Sequence, residues 1–173
     1  MLRFLLLGDW GKASSNNKQQ DGKNDKNDKS DNKKSSSYQE DLANAMADHA
    51  ELTYPHPSFV LALGDNFYND GVSSPEDPLW NTLWKNIYLK NHTFLRLPWY
   101  PVLGNHDYGG GNGYALAQIQ RTYEHTDDNS WQFFDTHYTI RYSIPNSHGH
   151  VQLVFVDTTT LAPSKNKCCN EEG

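Results

Sequence analysis

Short apolar runs closed by glycine alternate along this chain with longer stretches in which apolar side chains recur at helical spacing. Residues 2–7, apolar but for Arg3 and closed by Gly8, predict a buried central strand. Ser37 and Glu40 have the spacing of a capping box and predict a helix beginning at Ser37. Leu42, Ala45, Met46, His49 and Ala50 then fall on one face, where His49 reads as a packed helical histidine rather than a ligand. Pro55 and Pro57 separate this helix from a second buried strand at 58–63, closed by Gly64. Gly71, Pro75 and Pro78 make 67–78 a loop, and 79–89 returns to helical spacing with Leu79, Leu83 and Ile87 on one side. A third strand at 99–103 ends at Gly104; Pro98 and Pro101 are expected to let little more than its end pair. A glycine-rich loop at 109–113 precedes a short helix at 114–123, and strands at 137–144 and 151–156 form an antiparallel hairpin.

The order strand, helix, strand, helix, strand is that of an α/β sheet with helical crossovers, and no internal repeat interrupts it. The tract at 14–37 contains no apolar side chain and cannot recover its ordering entropy by burial. It is expected to be a disordered insertion in a surface loop, which lengthens at small cost. Because the whole chain is 36% hydrophobic, the rest is richer than that figure, with five Trp and ten Tyr to bury. The tract carries six Lys against four Asp, so the remainder holds a net charge of −8 within the overall −6. A phosphate-tracking nucleic-acid surface needs clustered Lys and Arg and is not expected; buried carboxylates neutralised by metal ions suit the balance better. The apolar run at the start is too short for a signal-peptide core and leads into Gly and Asp, and no stretch is long enough to span a membrane. Cys168 and Cys169 are adjacent, a spacing at which disulfide geometry is hard to satisfy. Localisation is left open.

The chemistry sits where the strands stop. Each of the first three ends in Gly followed at once by Asp or Asn: Gly8-Asp9, Gly64-Asp65 and Gly104-Asn105. Ligands of open α/β sheets bind at the carboxyl ends of the strands, so three adjacent ends would bring Asp9, Asp65 and Asn105 to one crevice. Each cluster alone is an ordinary turn sequence, but turns do not explain three of them at consecutive buried strands. Carboxylates and an amide oxygen are hard ligands for hard cations, and Asp65 is the candidate to bridge two of them. Tyr68, three residues on, could reach the same ion; a phenolate ligand favours a strongly Lewis-acidic ion such as ferric iron. If Asn105 is the ligand, His106 points elsewhere and is free to contact a phosphate or to act as general acid.

GDWG at 8–11, GDNFYNDGV at 64–72 and GNHD at 104–107 resemble the first three signature blocks of the purple, or tartrate-resistant, acid phosphatases of the metallophosphoesterase family. The similarity continues through LPWYPVLGNHDY, Ala-Gln-Ile at 117–119 and IPNSHGHVQLVFVDTTTL. It implies the N-terminal part of a single metallophosphoesterase domain over 1–173, an incomplete four-layer α/β/β/α sandwich. It also implies a dinuclear metal centre of Fe(III) with Fe(II), Zn or Mn. Asp9 and Tyr68 would bind the ferric ion, Asp65 would bridge, Asn105 would bind the divalent ion, and His106 would face the substrate. The activity implied is hydrolysis of phosphomonoesters at acidic pH by hydroxide activated at the two metals. Tyrosinate-to-iron charge transfer would colour the protein. Family members commonly work in secretory, lysosomal or extracellular settings.

The sequence also departs from that pattern. The family's complete site uses three more histidines, one from a later block and two from a Gly-His-x-His block. Both blocks belong to the second half of the domain, and neither is found here. His148 and His150 lie in a hairpin turn before a strand and lack the first Gly of that block, so they are not expected to substitute. His56, His92, His125 and His137 fit loops and strand starts and are assigned no role. Mammalian-type members carry a Cys soon after Asp-Thr; here Leu161-Ala162-Pro163 stands there, so their redox-linked disulfide is not expected. A C-terminal half is therefore expected to supply the remaining ligands. Without it, the chain is expected to expose an apolar face and strand edges. The alternative is a catalytically inactive relative that binds metal weakly at most. A nuclease or phosphodiesterase of the same wider family is separated from the purple branch by Tyr68.

Overall fold

A computed structural model describes residues 1–12, 38–126, 128–144 and 146–161. The polar tract at 14–37, Ser37 of the capping box, Ala162-Pro163 and the Cys168, Cys169 pair lie outside the described residues.

Three parallel strands, β1 (Leu5–Leu7), β2 (Val60–Leu63) and β3 (Trp99–Val102), form a sheet in the order β1-β2-β3, with Leu6 opposite Leu61 and Leu61 opposite Tyr100. α1 (Tyr38–Leu52) connects β1 to β2, and a π-helix (Trp80–Leu89) connects β2 to β3. Parallel crossovers are right-handed, so a sheet laid down in sequential order places both connections on one face. α2 (Asn112–Glu124) follows β3, and β4 (His137–Ser143) and β5 (His150–Val156) form the antiparallel hairpin. The helical layer, the parallel sheet and the hairpin on the sheet's other face are three layers of the α/β/β/α arrangement.

Three expectations need correction. β1 is three residues long rather than six, although main-chain bonds from Leu5 to Phe59 and from Ser58 to Arg3 continue its contact with β2. The buried face of α1 is Gln39, Ala43, Met46, Ala47 and Ala50, not the stripe through Leu42, Ala45 and His49. Leu42 is 40% exposed and His49 is exposed, with a 3.5 Å contact to Thr53. Small Ala43, Ala47 and Ala50 allow α1 to lie close to its neighbours, and Gln39 Nε2 ties it to the π-helix through Leu83 O at 2.7 Å.

β3 is the third correction, because it pairs along its whole length. The Trp99 N–H is donated to Ser130 O, and Trp99 O receives the N–H of Gln132, so this residue's backbone groups point away from β2. Pro101, two residues on, faces the same way, and its missing N–H is not one that β2 needs. Its carbonyl accepts the Tyr138 hydroxyl at 2.7 Å.

The core forms on both faces of the sheet. On the helical side, Leu7, Val60, Ala62 and Trp99 join Trp10, Phe67, Trp80, Trp84, Tyr88 and Trp131 in one cluster. Trp10 lies edge-on to Phe67, Tyr88 and Trp99 at 5.4, 5.4 and 5.6 Å between ring centroids. On the opposite side, Phe59, Leu61 and Tyr100 meet Tyr138, Tyr142, Leu153 and Phe155 of the hairpin.

Candidate metal centre

The loops after β1, β2 and β3 meet at the carboxyl end of the sheet. Their closeness depends on two glycines. A Cβ on Gly11 would stand 1.7 Å from Asn66 O, and one on Gly104 would stand 2.2 Å from Asp65 Oδ1. No side chain fits at either position.

Asp9 and Asp65 both have left-handed backbones, with φ of 54° and 51°. That region is uncommon outside glycine, though Asp tolerates it better than most residues, and held conformations of this kind gather at functional sites. The result is convergence: Tyr68 Oη lies 2.7 Å from Asp9 Oδ1 and 2.8 Å from Asp65 Oδ2. One hydroxyl hydrogen can donate fully to only one of the two carboxylate oxygens, so the three oxygens are left short of donors. Burial first, then hydrogen bonding to Asp9 and Asp65 and their charge, raise the Tyr68 phenol well above its ordinary value. A cation among the three oxygens reverses the electrostatic part of that shift. The donor set therefore fits a hard, highly charged metal ion.

Asn105 and His106 stand on the β3 side of the same end. Asn105 is exposed and precedes a 3₁₀ turn at His106–Tyr108. The backbone N–H of His106 is donated to Asp65 Oδ1 at 3.0 Å. His106 Nδ1 lies 2.7 Å from Asn69 O, and since a carbonyl only accepts, Nδ1 carries the hydrogen. Nε2 is then the imidazole nitrogen left for a ligand. The Tyr68 and His106 rings are 4.4 Å apart.

Sequence reasoning missed the polar groups beneath this rim. Asp107 and Asn66 are fully buried, and so is Gln118. The Asp107 carboxylate accepts from the amides of Asn66, Phe67 and Gly104 and from Gln118 Nε2. Burial pushes Asp107 up to about 6 despite the lowering effect of these donors. Asn66 donates to Val102 O and Gln118 Oε1 and accepts from Trp10 Nε1. Asp157, at the end of β5, is also buried; it accepts from the Tyr108 hydroxyl and, at 2.8 Å, from the Thr159 amide. Asn66 and Asp107 each directly follow a residue proposed for the site, and that adjacency was the available signal.

The other histidines stand apart from the rim in their contacts. His148 is in the β4–β5 turn and His150 opens β5, at the end of the hairpin opposite Asp157. His56 bonds Ala50 O and lies tilted against the Phe94 ring, and His125 Nε2 lies 3.4 Å from Glu76.

A parallel sheet with its chemistry gathered at the carboxyl end defines a class, and comparison with known proteins gives it a name. Residues 2–168 match the calcineurin-like phosphoesterases, and the chain belongs to that family. It is 35% identical over 156 residues to purple acid phosphatase 3 of Arabidopsis thaliana, which covers 90% of this chain and 33% of that protein. Tartrate-resistant acid phosphatase type 5 of Oryctolagus cuniculus is 27% identical over 171 residues, covering 99% of this chain and 45% of the relative. The chain thus spans less than half the length of these relatives. In fold it is similar to GAP50, the anchor in the inner membrane complex of Plasmodium, with a TM-score of 0.62 and 24% identity over 95% of this chain and 44% of that one. The resemblance carried by the three sequence blocks extends over nearly the whole chain. Among the described residues, no helix is long and apolar enough to cross a membrane.

Proposed function

We propose that this chain carries one side of a dinuclear acid phosphatase centre. Asp9 and Tyr68 would hold a ferric ion, Asp65 would bridge, and Asn105 would bind a divalent iron, zinc or manganese ion. The observation that carries this reading is the Tyr68 oxygen set between carboxylates from two different strand ends, at 2.7 and 2.8 Å. The kinship with acid phosphatases supports phosphomonoesters as substrates.

When bound, the two ions supply Lewis acidity for displacement at phosphorus. The protein's own residues do the rest. Asn69 O holds the His106 ring with Nε2 free, where it can hydrogen-bond a phosphoryl oxygen or give a proton to the leaving alcohol. The His106 main chain keeps Asp65 Oδ1 oriented, so one residue serves both the carboxylate and the substrate.

The test is to add ferric and zinc ions to the purified chain and to record its visible spectrum and its hydrolysis of an activated aryl phosphate at acidic pH. A tyrosinate charge-transfer band that Tyr68→Phe abolishes is the expected result. No band in the wild type, or a band that survives Tyr68→Phe, would refute the phenolate assignment. A band without turnover would favour a metal-binding relative that is not itself an enzyme.

A further inference from the structure

We propose that Asp107 is a positioning residue whose carboxylate, with Asn66 and Gln118, locks the loops after β2 and β3 together and so keeps Asp65 against His106. The inference rests on reading Asp65 and His106 as site residues. Its evidence is where the donors lie. Asn66 N–H reaches both Asp107 oxygens at 3.1 Å and directly follows Asp65 in sequence. Gly104 N–H reaches Oδ2 at 2.9 Å and directly precedes Asn105. Phe67 N–H at 3.2 Å and Gln118 Nε2 at 2.7 Å complete the shell. Three of these four donors are backbone amides that frame the proposed ligands.

A side chain that only filled space here would be better apolar, because an enclosed carboxylate is costly unless its oxygens are fully hydrogen-bonded. This one is, by three loop amides beyond the ends of β2 and β3 and by the Gln118 side chain of α2. Asn66 extends the lock to the other strands through Val102 O at 2.8 Å and Trp10 Nε1 at 3.2 Å. Gln118, whose own carbonyl takes Trp131 Nε1 at 3.0 Å, anchors it to α2 and the tryptophan core. The site contact that depends on the lock is His106 N–H to Asp65 Oδ1 at 3.0 Å, which Asp107 does not itself touch.

Amide hydrogen exchange on the metal-free full chain separates positioning from plain stabilisation. Asp107→Asn should accelerate exchange at Asn66, Phe67 and Gly104 by about tenfold or more, the scale of one lost charge-assisted hydrogen bond. It should also accelerate His106, while Val60 and Leu61 in β2 exchange as in the wild type. Gln118→Met, which removes one donor and one acceptor at similar volume, should give the same pattern to a smaller degree and covers the case in which Asp107→Asn does not fold. An unchanged His106 amide in the folded variants would overturn the proposal, as would equal acceleration throughout β2. A wild-type chain that fails to bind ferric ion would sink the metal-centre reading and leave this result standing.

Discussion

The two faces of the parallel sheet are built from the same kinds of residue and end in different states. On one face Leu7, Val60, Ala62 and Trp99 lie under α1, the π-helix and the four other tryptophans, all of them buried. On the other, the hairpin covers Phe59 and Leu61 but leaves Leu6 58% and Leu63 52% exposed. Alternation along a strand sends neighbours to opposite faces, so a continuous apolar run asks for cover on both. The difference teaches that burial on the first face comes from crossovers local in sequence, whereas cover on the second needs segments brought from far along the chain.

Breaking the closed face should have the largest effect. Trp131 is fully buried, packs edge-on to Trp80 and Trp84 at 5.0 and 5.1 Å, and donates to Gln118 O. Trp131→Ala should cost about 3–5 kcal/mol in chemical denaturation, the range for large aromatic truncations in packed cores. On the open face the same experiment should read differently. Leu63→Ser should cost about 1 kcal/mol or less, because half of that side chain is already in water, and it should lower any concentration-dependent association. Equal losses at the two positions would mean that Leu63 is covered in solution.

The smallest expected effect is at the rim of the closed face, where Lys85 of the π-helix pairs with Asp128. Burial works against the Asp128 charge, but hydrogen bonds from Lys85 and the Ser130 amide, with the Lys85 charge, hold its pKa below the ordinary value. A depressed folded pKa stabilises at pH values above the unfolded carboxylate range and is lost as pH falls through the folded value. Acid titration of stability should therefore show a loss of about 1 kcal/mol below about pH 4 that Asp128→Asn removes. A loss of the same size in the variant would assign it to other carboxylates.

Much of this was legible from the residues alone. Glycine-closed apolar runs located all three parallel strands, and the two later strand segments found the hairpin to within a residue or two. The clusters behind the strands pointed to Asp9, Asp65, Tyr68, Asn105 and His106 together, and the structure brings Asp9, Asp65 and Tyr68 into direct contact and ties His106 to Asp65. The face of α1 was misread because ranking by side-chain size favours Leu42 over Ala43, while close packing rewards the smaller residue. Pro101 was misread because its effect depends on which way its nitrogen faces, and periodicity does not record that. Asp107, Asn66 and Gln118 went unassigned because most of their partners lie 11 to 56 residues away in sequence.

The sequence by itself determined where the chain extends, where it turns and which chemical groups stand at the turns, since these follow from local spacing and backbone preference. The tertiary structure decided which of those groups touch. Whether a buried carboxylate is a liability or a lock, and whether a leucine is core or surface, depends on what the rest of the chain places beside it. Desolvation and hydrogen bonding act through space, across residues that the sequence keeps far apart.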